Sequence, residues 1–293
     1  MSSIQIAVVG DVHRNFSDYD SRYFNASDYD LILLVGDLSN WWPREGLEAA
    51  HHISKLKKPS FCIPGNHDTI NAFQLLAEVK KVRLAATLAS LGQERHLEKL
   101  RKVIAPVTLG GYSVHPLDIA GSTFDLIAAR PFSMGGDEFA SRRIISRMHG
   151  VNSMSESVAL LKRCVDNSKS GRIVFLAHNG PTGLGMRRDD IWGRDFEASG
   201  GDHGDPDLRS AIDYALETGK EVVAVVAGHM HRQIKGGGAR EWWIKANGIH
   251  YINAAHVPRI AAHGDVFLHH HVRITFEESN LVAEDVFVHA AGV

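Results

Sequence analysis

Five short apolar runs, each followed at once by Asp, His or Asn, constrain this chain more than any other feature. Ile4 to Val9 runs into Gly10-Asp11-Val12-His13, and Leu31 to Val35 runs into Gly36-Asp37-Leu38-Ser39-Asn40. Phe61 to Ile63 leads to Pro64-Gly65-Asn66-His67-Asp68, Ile173 to Ala177 to His178-Asn179-Gly180-Pro181, and Val222 to Ala227 to Gly228-His229-Met230-His231. The runs are short and rich in β-branched residues, so they predict buried strands. Strands apolar on both faces belong to a sheet covered on both sides. Several helical patterns lie between them. Arg44 to Lys57 is amphipathic and closed by Pro59, and Ser153 to Glu156 has capping-box spacing. Asp205-Pro206 reads as an N-cap with proline at the first helical position, in a helix that ends at Gly219. Strands alternating with helices predict an α/β architecture, in which sites form at the carboxyl ends of the strands. All five polar clusters can therefore converge on one edge.

The C-terminal part departs from this plan. Ile249 to Asn253 reads as a strand, and Val266 to Phe276 and Leu281 to Val288 read as a hairpin joined by Glu277-Glu278-Ser279-Asn280, which suggests a second sheet packed on the first. No repeat, low-complexity tract or linker divides the chain. The expectation is one domain over residues 1–293, with helical insertions around 70–104, breaking at Gly92, and around 134–168. Either insertion is read as an outer-layer helix, with a cap over the site as the alternative. A net charge of -2 argues against a nucleic-acid polymer or an anionic membrane as partner. No apolar run is long enough to span a bilayer. The start has no signal-peptide pattern, and Cys62 and Cys164 form no motif, which fits a reducing, cytoplasmic setting.

Each polar pair alone is weak. Asp-x-His is usually a turn, and His-x-His is more often surface than ligand. Their joint occurrence carries the weight: Asp-x-His, Gly-Asp, Gly-Asn-His-Asp, His and Gly-His-x-His, each after an apolar run and in this order, in a chain with 18 histidines. Imidazole is the commonest metal ligand in proteins.

On these motifs the frame from Ile4 to His231 resembles the calcineurin-like metallophosphoesterase superfamily. The resemblance implies a four-layer αββα sandwich, two mixed β-sheets flanked by helices, with a dinuclear metal site at the C-terminal ends of the strands. It also implies residue roles. Asp11, His13, Asp37 and His231 match the ligands of one metal, and Asp37, Asn66, His178 and His229 those of the other, with Asp37 bridging. His67 matches the catalytic histidine, and Asp68 the acid that orients it. The implied activity is hydrolysis of a phosphomonoester or phosphodiester by attack of metal-bound hydroxide.

The chemistry of the residues agrees. Carboxylate, imidazole and amide together suit two divalent ions such as Mn²⁺, with Fe or Zn²⁺ as alternatives. Two ions about 3.5–4 Å apart need a shared anionic ligand, and such a pair can clamp both oxygens of an in-line phosphoryl displacement. Protein phosphatases of the superfamily carry Gly-Asp-x-Val-Asp-Arg-Gly and Gly-Asn-His-Glu. This chain has "GDLSNWWP" and "GNHD", so a small-molecule phosphate ester is the expected substrate. The rival reading is a catalytically silent metal-binding scaffold of the same fold, against which every motif residue is present.

Other candidates are weaker. Phe124 to Ala129 reads as a strand that would bring Arg130 to the site edge, where a guanidinium pairs well with phosphate. Asn179 follows His178 at the start of a long glycine-rich loop expected to shape substrate access, and is the second candidate substrate contact. Trp41 and Trp42 are read as core packing, with stacking on a base or ring as the alternative. His269, His270 and His271 lie on one strand with alternating directions and cannot converge on a metal. They are read as strand surface, like His51, His52 and His256.

Overall fold

The chain's first strand fixes the architecture, because a strand with apolar residues on both faces and hydrogen-bonding groups along both edges must be covered from every side. β1 (Ile4–Val9) pairs in parallel with β2 (Leu31–Leu34) on one edge and antiparallel with β12 (Val266–Glu277) on the other. The computed structural model describes residues 3–69, 92–197, 199–277 and 280–291. β3 (Ser60–Cys62) and β4 (Thr108–Leu109) continue the parallel side, and β11 (Ile260–His263) and β13 (Asn280–Ala291) pair with β12, giving a seven-stranded mixed sheet. The second sheet has six strands in the order β5 (Ser113–Ile119), β6 (Ser122–Ala128), β7 (Arg172–Leu176), β8 (Glu221–Ala227), β10 (Ile249–Asn253) and β9 (Trp243–Ala246). Its central pairings from β6 to β10 are parallel and its two edge pairings antiparallel.

The two sheets stack through apolar side chains. Ile6, Leu33 and Phe276 of the first meet Phe124, Val174 and Val226 of the second, with the Phe124 and Phe276 rings edge to face at 6.4 Å. The described helices are α1 (Asp18–Ala26), α2 (Gly46–Ile53), α3 (Gln93–Ile104), α4 (Arg142–His149), α5 (Met154–Asn167) and α6 (Pro206–Glu217). α2 packs with α3, and α5 with α6, which also covers β8. Among the described residues no helix is long and apolar enough to cross a membrane.

Three expectations change. The second sheet is built from the middle of the chain, while the C-terminal hairpin joins the first sheet, because β12 completes the open edge of β1. The helical stretch expected from Met134 begins only at Arg142: Gly135 and Gly136 take left-handed backbone (φ 76° and 71°) and hold the preceding residues as a loop. α3 starts after Gly92, which has φ 92°, and residues 70–91 of that expected stretch lie outside the described residues.

The third correction is the histidine run. His269, His270 and His271 are buried, because β12 is paired on both edges and covered on both faces. His269 Nδ1 lies 2.9 Å from Asp20, which also takes Arg259, and His271 Nε2 lies 2.6 Å from the Tyr29 hydroxyl. On the opposite face His270 Nε2 lies 2.7 Å from Asp285, and its ring stacks on His256 at 4.4 Å. Burial holds His270 down at about 4, against the pull of Asp285, and His271 down at about 3. Both rings titrate near pH ~6.5 in the unfolded chain. Acid therefore favours unfolding: stability intact above pH ~6.5 is lost as the pH falls toward these values, by about 1.4 kcal/mol per pH unit for each proton. His270→Gln is expected to flatten the fall in urea midpoint between about pH 7 and about pH 4.5 by roughly one proton's share. An unaltered slope would contradict the burial argument.

Candidate metal centre

The loops after β1 and β2 stay paired beyond the strands. Val12 N–H donates to Gly36 O (3.3 Å), His13 N–H to Asp37 O (2.6 Å) and Arg14 N–H to Leu38 O (2.9 Å). Asp11, His13 and Asp37 are thereby held on adjacent loops of the first sheet. The second sheet reaches across to them. His178, after β7, donates Nδ1–H to Val35 O at 2.7 Å, and the His229 N–H after β8 lies 3.1 Å from the Asp11 carboxylate. The cluster thus forms where the carboxyl ends of both sheets meet. His13, Asp37 and His229 have left-handed backbone (φ 42°, 49° and 67°), a strained state for non-glycine residues that packing must enforce. Gly65 is required by close approach, since a Cβ there would strike Asp37 Oδ1 and the His178 ring.

Two sets of donor atoms result. One ligand atom each from Asp11, His13 and His231 lie within 4.8 Å of one another, and so do those of Asp37, His178 and His229. Backbone carbonyls fix the tautomers. A carbonyl only accepts, so the ring nitrogen facing it must carry a proton, and in the neutral ring the other nitrogen is the one with a lone pair. His13 Nδ1 faces Ser39 O (2.9 Å), His178 Nδ1 faces Val35 O and His229 Nε2 faces Met134 O (3.1 Å). The other nitrogens point at one another and at carboxylate and amide oxygens. His178 Nε2 lies 3.2 Å from His229 Nδ1, 3.0 Å from Asn66 Oδ1 and 3.5 Å from Asp37 Oδ1. His13 Nε2 lies 3.3 Å from His231 Nε2 and 3.8 Å from Asp37 Oδ2, and His231 Nε2 lies 3.5 Å from Asp11 Oδ2. Asp37 therefore offers one oxygen to each set. Converging acceptors repel unless a proton or a cation sits among them, so both sets are candidate sites for a divalent metal, and the carbonyl partners are the outer contacts that would orient ligating imidazoles.

The cluster's own groups compensate one another: burial lowers His178 and His231, but the carboxylates of Asp37 and Asp11 outweigh it and raise both. Burial raises the pKa of Asp11, but the His231 hydrogen bond and the charges of His178, His231 and His13 outweigh it and keep the carboxylate ionised. Asp37 is likewise lowered against burial by His178, His67 and His13. Burial, with the charges of His178 and His203, holds His229 well below the ordinary histidine value, in the neutral form a ligand needs.

His67 stands beside this cluster, its ring centroid 5.2 Å from that of His13, and its N–H donates to Asp37 Oδ1 at 2.9 Å. The expected role of Asp68 changes. Its carboxylate accepts from the N–H groups of Leu38 (2.7 Å), Ser39 (3.2 Å) and Gly65 (2.8 Å), so it ties two loops together, while His67 Nδ1 is held by Asn40 O. Burial and the charge of Asp37 push Asp68 up to about 7, against the pull of those amides.

Arg130 and Asn179 do not reach the site as substrate contacts. Arg130 is 1% exposed and lies 2.9 Å from Asp205 and 2.7 Å from Asp207, because the start of α6 brings both acids under the end of β6. Asn179 is fully buried and donates to His203 O at 2.8 Å. The loop between His178 and α6 is anchored from inside by buried Trp192 and by Arg240, whose Nη1 meets the carbonyls of Arg188, Asp190 and Gly193 at 3.0, 2.8 and 2.6 Å. His203 is a neighbour of the site that sequence reasoning missed. Its ring stacks on His229 at 5.9 Å, in a space kept open by Gly135 and Gly136, and that glycine pair was the available signal. Trp41 and Trp42 are not in the core: they are 56% and 48% exposed.

A family model described as calcineurin-like phosphoesterase matches residues 4–233. No curated protein compared with the chain matches it in sequence. Among solved structures, TT1561 of Thermus thermophilus is 10% identical over 97% of this chain and 99% of its own, with a TM-score of 0.54. Another is 11% identical over 97% and 99%, with a TM-score of 0.53. A phosphopantetheinyl hydrolase from Mycobacterium tuberculosis is 12% identical over 87% and 90%, at 0.49. At these identities the likeness of the first two speaks to the fold alone.

Arg130→Met is expected to lower stability by about 3–5 kcal/mol, because it strands two buried carboxylates, and the unfolding midpoint should report it. An unchanged midpoint with a raised KM would return Arg130 to the substrate.

Proposed function

Because the chain belongs to the calcineurin-like phosphoesterase family, we propose that it is a dinuclear metal-dependent hydrolase of a small phosphomonoester or phosphodiester. The observation that carries this reading is the convergence of imidazole nitrogens and carboxylate oxygens in two sets with Asp37 between them. Asp11, His13, His231 and Asp37 would hold one ion, and Asp37, Asn66, His178 and His229 the other. Mn²⁺ is taken as the resident ion on the carboxylate and amide oxygens, with Fe and Zn²⁺, which the imidazoles suit, as alternatives. Bound there, the ions would clamp phosphate oxygens and acidify a water at neutral pH.

The chain's own groups supply the rest. With Nδ1 donating to Asn40 O, His67 keeps Nε2 for the substrate. There an imidazolium would stabilise charge on the phosphate and protonate the leaving oxygen. Asp68 serves this geometry indirectly, by fixing the loop that carries Asn66 and His67 against the loop that carries Asp37. A net charge of -2 favours a small ester over a nucleic-acid polymer.

The purified protein supplied with Mn²⁺ is expected to hydrolyse p-nitrophenyl phosphate or bis(p-nitrophenyl) phosphate. His67→Ala should lower kcat by about 10²–10⁴-fold while the metal content stays at the wild-type level. Metal-loaded protein inert toward a broad panel of phosphate esters would support the silent scaffold instead.

A further inference from the structure

The sequence GDLSNWWP places two indoles directly after the loop that carries Asp37 and Asn40. Tryptophan has a large apolar surface, and two adjacent ones half out of the core are unusual unless something covers them. Trp41 is 56% exposed, and its ring stands edge-on to His67 with centroids 6.3 Å apart. That ring is in turn 5.2 Å from His13. The indole therefore borders the very group assigned to the leaving oxygen. Its loop is held in place. The Glu45 carboxylate accepts from the N–H groups of Trp41 (3.1 Å) and Trp42 (3.3 Å) and lies 3.6 Å from the Arg14 guanidinium, so the backbone under the indole is set before any ligand arrives.

We propose that Trp41 is a stacking platform for a planar aromatic group carried by the substrate, so that the site prefers phosphate esters bearing such a ring to alkyl esters. The inference rests on the phosphoesterase reading and narrows its substrate class. An indole face attracts any flat π-system, and loss of one such stack typically weakens binding about tenfold or more. The chain's slight negative charge fits a single ring-bearing ester better than a strand of them.

Esters of three primary alcohols, whose leaving groups have similar basicity, isolate the effect: thymidine 5′-phosphate, 2-phenylethyl phosphate and butyl phosphate, each as the monoester and as its methyl diester, with the Mn²⁺-loaded enzyme and the released alcohol measured. The ring-bearing esters should have the higher kcat/KM. Trp41→Ala should cut that preference about tenfold, mainly through KM, and Trp41→Phe should restore most of it. Preference for thymidine alone identifies a nucleobase, and preference for both identifies any aryl ring. No wild-type preference, or equal loss on the esters of all three alcohols in Trp41→Ala, overturns the platform. Should none of these esters turn over, p-nitrophenyl phosphate and bis(p-nitrophenyl) phosphate decide the phosphoesterase reading separately, and quenching of tryptophan fluorescence by adenosine 5′-monophosphate decides the platform. Quenching lost in Trp41→Phe supports it, and quenching that is equal in both proteins, or absent, overturns it.

Discussion

Asp37 occupies the point on which the rest of the arrangement depends. A carboxylate taken out of water costs several kcal/mol unless opposite charge compensates it. Asp37 is 1% exposed, lies at the junction of two sheets, and has a second buried carboxylate, Asp11, in the same cluster. Around it the imidazole nitrogens of His13 and His178 approach different oxygens at 3.8 and 3.5 Å. The features that look costly in isolation all serve that junction: left-handed backbone at three non-glycine residues, a glycine where no Cβ fits, and an acid used to tie amide groups. Two cations would answer these demands together, which is why the proposed centre also accounts for the shape of the loops.

The two-sheet construction explains how distant parts of the chain meet there. Parallel strands all deliver their following loops to the same edge. The first sheet delivers Asp11, His13, Asp37 and Asn66, and the second delivers His178, His229 and His231. The apolar stack of Ile6, Leu33 and Phe276 on Phe124 and Val226 sets the distance between these two groups. A side chain that holds the sheets apart by the right amount is thus part of the site without touching it.

The strands and the donor residues were legible in the sequence because both rest on local signals. An apolar run that ends in glycine says where a strand stops, and the next residues are then at the carboxyl edge. What could not be read depends on partners far away in the chain. The burial of His269 to His271 follows from β12 being paired on both edges, which a strand's own pattern does not reveal. Arg130 looked like a phosphate contact because the acids that hold it, Asp205 and Asp207, lie some seventy-five positions downstream. The partner of His67 is the Asn40 carbonyl, and backbone carbonyls leave no trace in residue identity. Trp41 and Trp42 were read as core on the general preference of indoles for burial, and the exposure of both, with Trp41 beside His67, shows local geometry overriding that preference.

The central claim is that two cations share Asp37. Elemental analysis of the Mn²⁺-supplied protein after removal of loosely bound metal tests it most directly, with Asp37→Ala measured in parallel. The account predicts two equivalents of metal per chain, falling to one or fewer in the variant. One equivalent or none in the wild-type protein, or two retained without Asp37, would contradict it.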